Sequence, residues 1–272
     1  MRRVTELTRT IRFCLSQDGT LASDASPDNT FAAWPTMRGL GRYYELLVNC
    51  RGEVNAETGF FMNIKEIDEA ARTVALPLVA GASTAGAPVG FGTLLRGILS
   101  SLASRLPEGL EGVELRLTPT YSVRMSTQEM GSIYLSQSYE FSAAHRLHAQ
   151  AFSEEENRRV YGKCNNPAGH GHNYRLEVTV RCPVDAKGSA MEVEKLDALV
   201  RGAVIDKLDH KRLDTDVREF AGVVTTVENI ARVVYGMLEE PLKQAGAGLD
   251  QVRVWETGKT VCTYRSDRAR AC

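Results

Sequence analysis

Apolar and polar positions change period several times along this chain, and each change marks an element. Ile133–Ala144 and Tyr174–Cys182 alternate with a period of two, which predicts strands with one buried face. Met191, Val193, Leu196, Leu199, Val200, Val204 and Leu208 recur at helical spacing and predict a helix over Glu192–Leu208. Thr226–Leu242 predicts a second helix. Thr225 or Thr226 serves as its N-cap, and Glu228 lies in the first turn, where a carboxylate suits the helix dipole. Val252–Glu256 and Val261–Arg265 predict two short strands across a turn at Gly258. The first half has the same order: strands at Thr10–Leu15 and Tyr43–Arg51, helices at Asn63–Leu76 and Gly92–Leu106, strands at Glu114–Thr118 and Tyr121–Ser126. Asp18–Pro35 is rich in Ser, Asp, Asn and Pro and predicts a long loop.

The shared order extends to individual residues. Gly41-Arg-Tyr-Tyr-Glu-Leu-Leu-Val-Asn-Cys-Arg51 aligns with Gly171-His-Asn-Tyr-Arg-Leu-Glu-Val-Thr-Val-Arg181, with Gly, Tyr, Leu, Val and Arg in register. After a shift of one residue, Gly59–Asp68 aligns with Gly188–Asp197. A period of half the chain implies two copies of one unit. The junction is expected near Thr127–Ser132, giving units over residues 1–130 and 131–272.

Composition narrows the function classes. The chain has 272 residues, 43% hydrophobic and 25% charged, with a net charge of −1. That balance gives no general attraction to nucleic acid or to an anionic membrane, so neither partner is expected. No window is apolar enough to span a bilayer; Val74–Ala87 is too short and is interrupted by Pro77. Met1–Thr10 lacks the apolar segment of a signal peptide, and the six cysteines show no repeating spacing. Reduced thiols and a cytoplasmic location are expected.

The chemistry is concentrated in the second half. All five histidines lie between residues 145 and 210. His170 and His172 flank Gly171 on an expected strand, so both rings point to one face. His145, near the end of the preceding strand, reaches the same point if the two strands pair. Three neutral imidazoles make a zinc site with one position open to water or substrate. In the first half the aligned positions are Leu40 and Arg42, neither of them a metal ligand, so that copy should bind no such ion. His148 sits in a loop-like stretch and is assigned no role. Cys164 lies in a polar Gly/Asn/Pro loop beside Lys163, a setting that favours thiolate over a buried thiol. Asp209 next to His210 is a candidate proton relay, although the dipeptide alone is common. Glu256 ends an apolar strand and is either a solvated strand end or an acceptor for a guanidine-like heterocycle.

Phe141–Leu147, Gly162–Tyr174, Leu208–Asp216, Phe220–Ile230 and Glu256-Thr257 closely resemble the 6-pyruvoyl-tetrahydropterin synthase family, with its sister branch of 6-carboxytetrahydropterin synthases in queuosine biosynthesis. The resemblance covers residues 133–266, with the motifs in the family's order. It implies an α+β tunnelling fold, a four-stranded antiparallel sheet with two helices on one face, assembling into a barrel. Applied to both halves it implies two tandem units in ββααββ order, the first degenerate and the second catalytic. It implies zinc on His145, His170 and His172, Cys164 as general base, Asp209 and His210 as a second acid/base pair, and Glu256 as pterin anchor. Thr226 and Glu228 match the family's Thr-x-Glu-Asn helix start beside the substrate. Two features depart from the pattern. The Met-Val-Met or Met-Val-Asp segment of the family reads Ser189-Ala-Met-Glu-Val193 here, and the family normally has one copy per chain.

The activity implied is a zinc-dependent lyase that converts 7,8-dihydroneopterin triphosphate to 6-pyruvoyl-tetrahydropterin with loss of triphosphate. Five residues separate Cys164 from His170, the spacing of the animal-type pyruvoyl enzymes; the queuosine branch is usually shorter and is the alternative. A non-catalytic pterin- or metal-binding protein is the rival from another class, and the Cys164, Asp209 and His210 set argues against it. Arg146, Lys163, Lys211 and Arg212 are candidates for holding the triphosphate. Rings of three units stacked in pairs, with pockets at unit interfaces, are the family's assembly. Three tandem chains would supply six units, so a homotrimer is expected.

Overall fold

The computed structural model describes residues 4–21, 34–37 and 39–265. Most of the expected Asp18–Pro35 loop, residues 22–33, lies outside the described residues. The chain divides into two compact units, Met1–Leu135 with Cys182–Ala190, and Ser136–Arg181 with Met191–Cys272.

In the first unit, β1 (Thr5–Leu15), β2 (Arg42–Gly52), β3 (Leu110–Thr118) and β4 (Tyr121–Ser126) pair antiparallel in that order. Alternation puts Ile11, Leu46, Leu115 and Val123 in one cross-strand row, and none of the four is more than 2% exposed. Helices α1 (Ile64–Ala70), α2 (Leu76–Thr84) and α3 (Phe91–Ala103) supply the rest of the core through Ile67, Leu76, Leu95, Ile98, Leu99 and Leu102. Each such side chain contributes roughly 1.5–3 kcal/mol by leaving water. Arg9, at the end of the same sheet face, closes a two-pronged ion pair on Asp68 of α1, Nε to Oδ1 at 3.0 Å and Nη2 to Oδ2 at 2.6 Å.

The first helix is longer than its apolar spacing predicts. A π-helical turn, Ala71–Ala75, joins α1 to α2, and Pro77 falls at the start of α2. Pro77 lacks an N–H to donate inside this continuous helix, and it directly follows the π turn, the kind of local irregularity at which helices accommodate such a break. The segment Cys182–Ala190 belongs to this unit. The Val184 N–H donates to Gly131 O at 3.0 Å, and the Gly92 N–H to Gly188 O at 3.0 Å.

In the second unit the strand order is β5 (Ser132–His145), β6 (His170–Pro183), β8 (Gly248–Thr257), β9 (Thr260–Arg265), and the two-residue β7 (Lys211–Arg212) lies parallel beside β5. Leu176 faces Val254, which faces Cys262; Val178 faces Val252, which faces Tyr264. The helix expected over Glu192–Leu208 is α5 (Val193–Val200), a π-helical turn Arg201–Ile205, and α6 (Asp206–Leu208). The short α7 (Leu213–Asp216) precedes α8 (Val227–Gln244), which buries Ile230, Val234, Leu238 and Leu242. Thr226, not Thr225, caps α8, accepting the Asn229 N–H at 3.4 Å. In neither unit does the strand order close on itself, so the expected barrel is not formed within a unit.

One helix was absent from the sequence expectations. It is α4 (Glu154–Tyr161), between β5 and β6. Ser153 and Glu156 form a capping box, with Ser153 N–H to Glu156 Oε2 at 2.8 Å and Glu156 N–H to Ser153 Oγ at 3.2 Å. The Ser-x-x-Glu spacing is the signal that would have found it.

Candidate metal centre and active site

His145 is the last residue of β5 and His170 the first of β6. The chain between them must return hard against β5. Gly169 makes this possible: its φ is +75°, and a Cβ there would lie 3.0 Å from the His145 carbonyl oxygen. His170 and His172 then share one face of β6 as the alternation expects. The Nε2 atoms of His145 and His170 are 3.1 Å apart, and the ligand atoms of all three rings lie within 4.8 Å of one another.

The tautomer of His145 is fixed by its other nitrogen. Nδ1 lies 2.7 Å from the carbonyl oxygen of Thr225 and can only donate to it, which leaves a lone pair on Nε2 facing the other rings. His145 is fully buried. Burial holds the His145 and His172 pKa values below the usual histidine range, so both rings are neutral at pH 7. Among the described residues His172 Nε2 is buried without a hydrogen-bond partner, as is His170 Nδ1, the nitrogen of that ring that does not face His145. Three imidazoles gathered this way, one with an unpartnered nitrogen beside its neighbours, are an arrangement that a bound cation satisfies. Three nitrogens at about 2.0–2.1 Å from a tetrahedral zinc stand about 3.3 Å from one another. The observed 3.1 Å for the closest pair fits that cage.

Glu256 continues the face of Val252 and Val254 to this point. Its Oε1 lies 3.5 Å from His145 Nε2 and 3.8 Å from His172 Nε2. With both rings neutral these are not ion pairs. Tyr174 lies under the cluster, stacked on Phe141 at 5.0 Å and edge-on to His172 at 5.5 Å. Burial pushes its phenol pKa far up, and the charges of Glu256 and Cys164 add to that.

Cys164 is half-buried on a 3₁₀ turn, Gly162–Asn165, directly after α4. The loop it heads is tied on every side. The Leu147 N–H donates to Cys164 O at 2.9 Å, and Asn165 Nδ2 donates to Leu147 O at 2.7 Å. Arg146 and Arg212, expected as candidates for triphosphate, both hydrogen-bond this loop. Arg146 Nε donates to Asn165 O at 2.9 Å, and Arg212 Nη2 to Pro167 O at 3.1 Å. Lys163 and Lys211 are exposed.

Asp209 and His210 lie between α6 and β7. The pair is closed by a 2.8 Å hydrogen bond between His210 Nδ1 and Asp209 Oδ2. It docks on Ser142, whose N–H donates to Asp209 Oδ1 at 2.8 Å and whose carbonyl accepts the His210 N–H at 2.6 Å. The pair meets β5 at its edge, through the Ser142 backbone, just before Lys211 and Arg212 pair with Ala143 and Ala144. The His210 ring is 81% exposed. The Ser142 N–H and the His210 ring hold the Asp209 carboxyl below the usual carboxylate range. Thr226 sits at the α8 N-terminus next to Thr225, and Glu228, one turn on, is exposed and close enough to push the Cys262 thiol up after burial has done so. Sequence reasoning missed Thr225, Tyr174, Asn165 and Asp214. Thr225 acts through a backbone carbonyl, for which no residue type is a signal.

In the first unit Leu40 is 85% exposed and Arg42 opens β2. Phe13 pairs with Tyr44 as Phe141 does with Tyr174, ring centroids 5.6 and 5.0 Å apart. Among the described residues the three-histidine group lies in the second unit.

A family model described as 6-pyruvoyl tetrahydropterin synthase matches residues 134–267. The 6-pyruvoyl tetrahydrobiopterin synthase of Poecilia reticulata is 44% identical over 136 residues, which is 49% of this chain and 90% of that protein. The Homo sapiens protein of the same name is 42% identical over 147 residues, 53% of this chain and 100% of that protein. A solved structure of Caenorhabditis elegans 6-pyruvoyl tetrahydropterin synthase is 37% identical with a TM-score of 0.46, covering 50% of this chain and 96% of that one. Through its second half, which carries the three histidines, Cys164 and Glu256, this chain belongs to the 6-pyruvoyl tetrahydropterin synthase family.

Proposed function

We propose that this chain is a 6-pyruvoyl-tetrahydropterin synthase-like lyase that converts 7,8-dihydroneopterin triphosphate to 6-pyruvoyl-tetrahydropterin with loss of triphosphate. The observation that carries the reading is the buried set of three converging imidazoles with the His145 tautomer fixed by Thr225. His145, His170 and His172 would hold the ion. Zinc bound there supplies a Lewis acid for the side-chain oxygens of the substrate.

The remaining work belongs to the chain. Glu256 accepts two hydrogen bonds from the guanidine-like edge of the pterin, which fixes the ring. Cys164, as thiolate, takes a proton from a side-chain carbon, and the carbon–oxygen bond to triphosphate then breaks. Asp209 and His210 move protons during the tautomerisation that follows. The exposure of the His210 ring fits a pocket completed by a second unit, with the pair serving a neighbour's cluster. Thr226 and Glu228 line the substrate side of the α8 start.

The first unit is proposed as a degenerate copy that keeps the strand-pairing surfaces and has lost the ligands. The paired Phe13 and Tyr44, the π-helical turns Ala71–Ala75 and Arg201–Ile205 at matching places, and the left-handed Gly59 and Gly188 support a common origin. The deciding experiment supplies zinc-loaded full-length protein with 7,8-dihydroneopterin triphosphate and reads products by mass. Pyruvoyl product supports the proposal. The carboxy product moves the chain to the queuosine branch, and binding without turnover makes it a pterin-binding protein.

A further inference from the structure

The loop that carries Cys164 is held by two arginines bridged through one carboxylate. Asp214 sits at their centre. Its Oδ1 accepts the Arg146 backbone N–H at 3.0 Å and Arg212 Nε at 3.2 Å, and its Oδ2 accepts Arg212 Nη2 at 3.2 Å. From this anchor both guanidinium groups reach forward to loop carbonyls. Arg146 takes Asn165, through its carbonyl at 2.9 Å and its side-chain Oδ1 at 3.3 Å. Arg212 takes the carbonyl of Pro167 at 3.1 Å. Asn165 is only 3% exposed, and Gly169, where the loop meets β5, would put a Cβ 3.7 Å from the Arg212 guanidinium carbon.

The fork geometry matters. A guanidinium presents parallel N–H donors that a carboxylate can fix in orientation, which a flexible ammonium does not reproduce. Asp214 neutralises and aims Arg212, and Arg212 then sets the height of the Pro167 end of the loop. The Arg146 side chain sets the Cys164 end, one residue beyond the thiol. The Arg212 charge is met by Asp214 at 3.2 Å; the Arg146 guanidinium is held by the Asn165 oxygens, with Glu154 Oε2 at 3.6 Å.

We propose that Asp214, Arg212 and Arg146 form a positioning clamp that sets the Cys164 thiol against the site, and that Arg212 is not a triphosphate ligand. The kinetic part of this role rests on the proposed lyase function. The reactivity of the thiol itself does not.

The test uses full-length Arg212→Ala, with Asp214→Asn as a milder second variant that keeps an acceptor oxygen for the Arg146 N–H. The clamp predicts a loss in kcat of about 10–100-fold, the usual effect of a small misplacement of a reacting group. KM for 7,8-dihydroneopterin triphosphate should stay within about twofold, since no ground-state contact is removed. Zinc content per chain should be unchanged. Iodoacetamide should alkylate Cys164 about fivefold faster or more, read site by site on peptides, because the half-buried thiol is released. Asp214→Asn should show the same pattern at smaller size and decides the matter if Arg212→Ala does not fold. A raised KM with unchanged kcat would make Arg212 a phosphate contact and overturn the proposal. Unchanged alkylation in both variants would overturn it as well. If wild-type protein turns over no pterin triphosphate, the lyase reading fails on its own, and the alkylation comparison still decides the clamp.

Discussion

His145 Nδ1 lies 2.7 Å from the carbonyl oxygen of Thr225, eighty residues further along the chain. That one bond joins the end of β5 to the start of α8 and dictates which nitrogen of the ring faces the cluster. It makes the site a single set of three donors rather than three separate histidines. Removing one donor should therefore empty it. His170→Ala and His172→Ala should each abolish zinc binding in the whole chain, because Leu40 and Arg42 offer no second set. Wild-type protein should hold about one zinc per chain, as expected of one three-histidine site. Metal analysis by plasma emission checks both, and two zincs per chain would defeat the reading of the first unit.

The same burial gives a pH dependence. His145 and His172 have folded-state pKa values below that of an unfolded histidine, by desolvation first. The unfolded chain therefore gains protons before the folded one does as pH falls. Stability from these rings is fully present above about pH 6.5, the unperturbed histidine value, and is lost below it. In metal-free protein, unfolding by urea should show a falling midpoint from about pH 6.5 downward, and His145→Asn should flatten that slope. An equally steep slope in the variant would place the titration elsewhere.

Much of this was legible in the sequence, for identifiable reasons. Alternation around Gly171 placed His170 and His172 on one face, and the apolar row ending in Val254 delivered Glu256 to the same point. What could not be read was anything carried by backbone atoms. Thr225 contributes a carbonyl, so its side chain gives no hint. The orientation of Asp209 and His210 depends on hydrogen bonds to Ser142 that leave no periodic trace. Arg146 and Arg212 looked like anion binders because charge is visible in a sequence and the loop contacts that hold them, with the Arg212–Asp214 pair, are not. The π-helical turns extend the helices without changing their apolar spacing enough to be seen.

Cys164 is the proposed base, and its removal separates chemistry from structure. Cys164→Ala should keep zinc and fold, because the loop is held through the Cys164 carbonyl and through Asn165 and Pro167, not through the thiol. Turnover should fall about 10²–10⁴-fold, the usual cost of losing a general base. Steady-state kinetics with metal analysis on the same sample checks this. Full activity would move the base elsewhere, with His210 the next candidate.

Gly188 tests the segment that the second half of the chain lends to the first unit. Its φ is +79°, and a Cβ there would lie 1.7 Å from Thr93 Oγ1. Gly59, its partner in the proposed repeat, has φ +72° but, among the described residues, nothing within 4 Å of a Cβ. Backbone strain alone costs about 1–2 kcal/mol, so Gly59→Ala should destabilise by about that much. Gly188→Ala carries a steric clash as well and should cost roughly 1–3 kcal/mol more. Urea unfolding of the two variants measures the difference. Equal losses would mean that the segment yields freely.

The last expectation concerns assembly. Among the described residues β1 and β9 end the strand order, β1 beside β2 and β9 beside β8. Unpaired strand edges invite further pairing, and closing a barrel removes them. A tandem chain brings two such units on one polypeptide, so three chains would supply the six units of a stacked pair of rings. The exposed Asp209–His210 pair fits this, since a neighbour's pocket would cover it. Native mass measurement of the full chain should show a homotrimer. Residues 128–272 alone should aggregate or re-assort, because the first unit's edges are gone. A stable, fully active monomer would defeat the assembly and, with it, the proposal that Asp209 and His210 act across an interface.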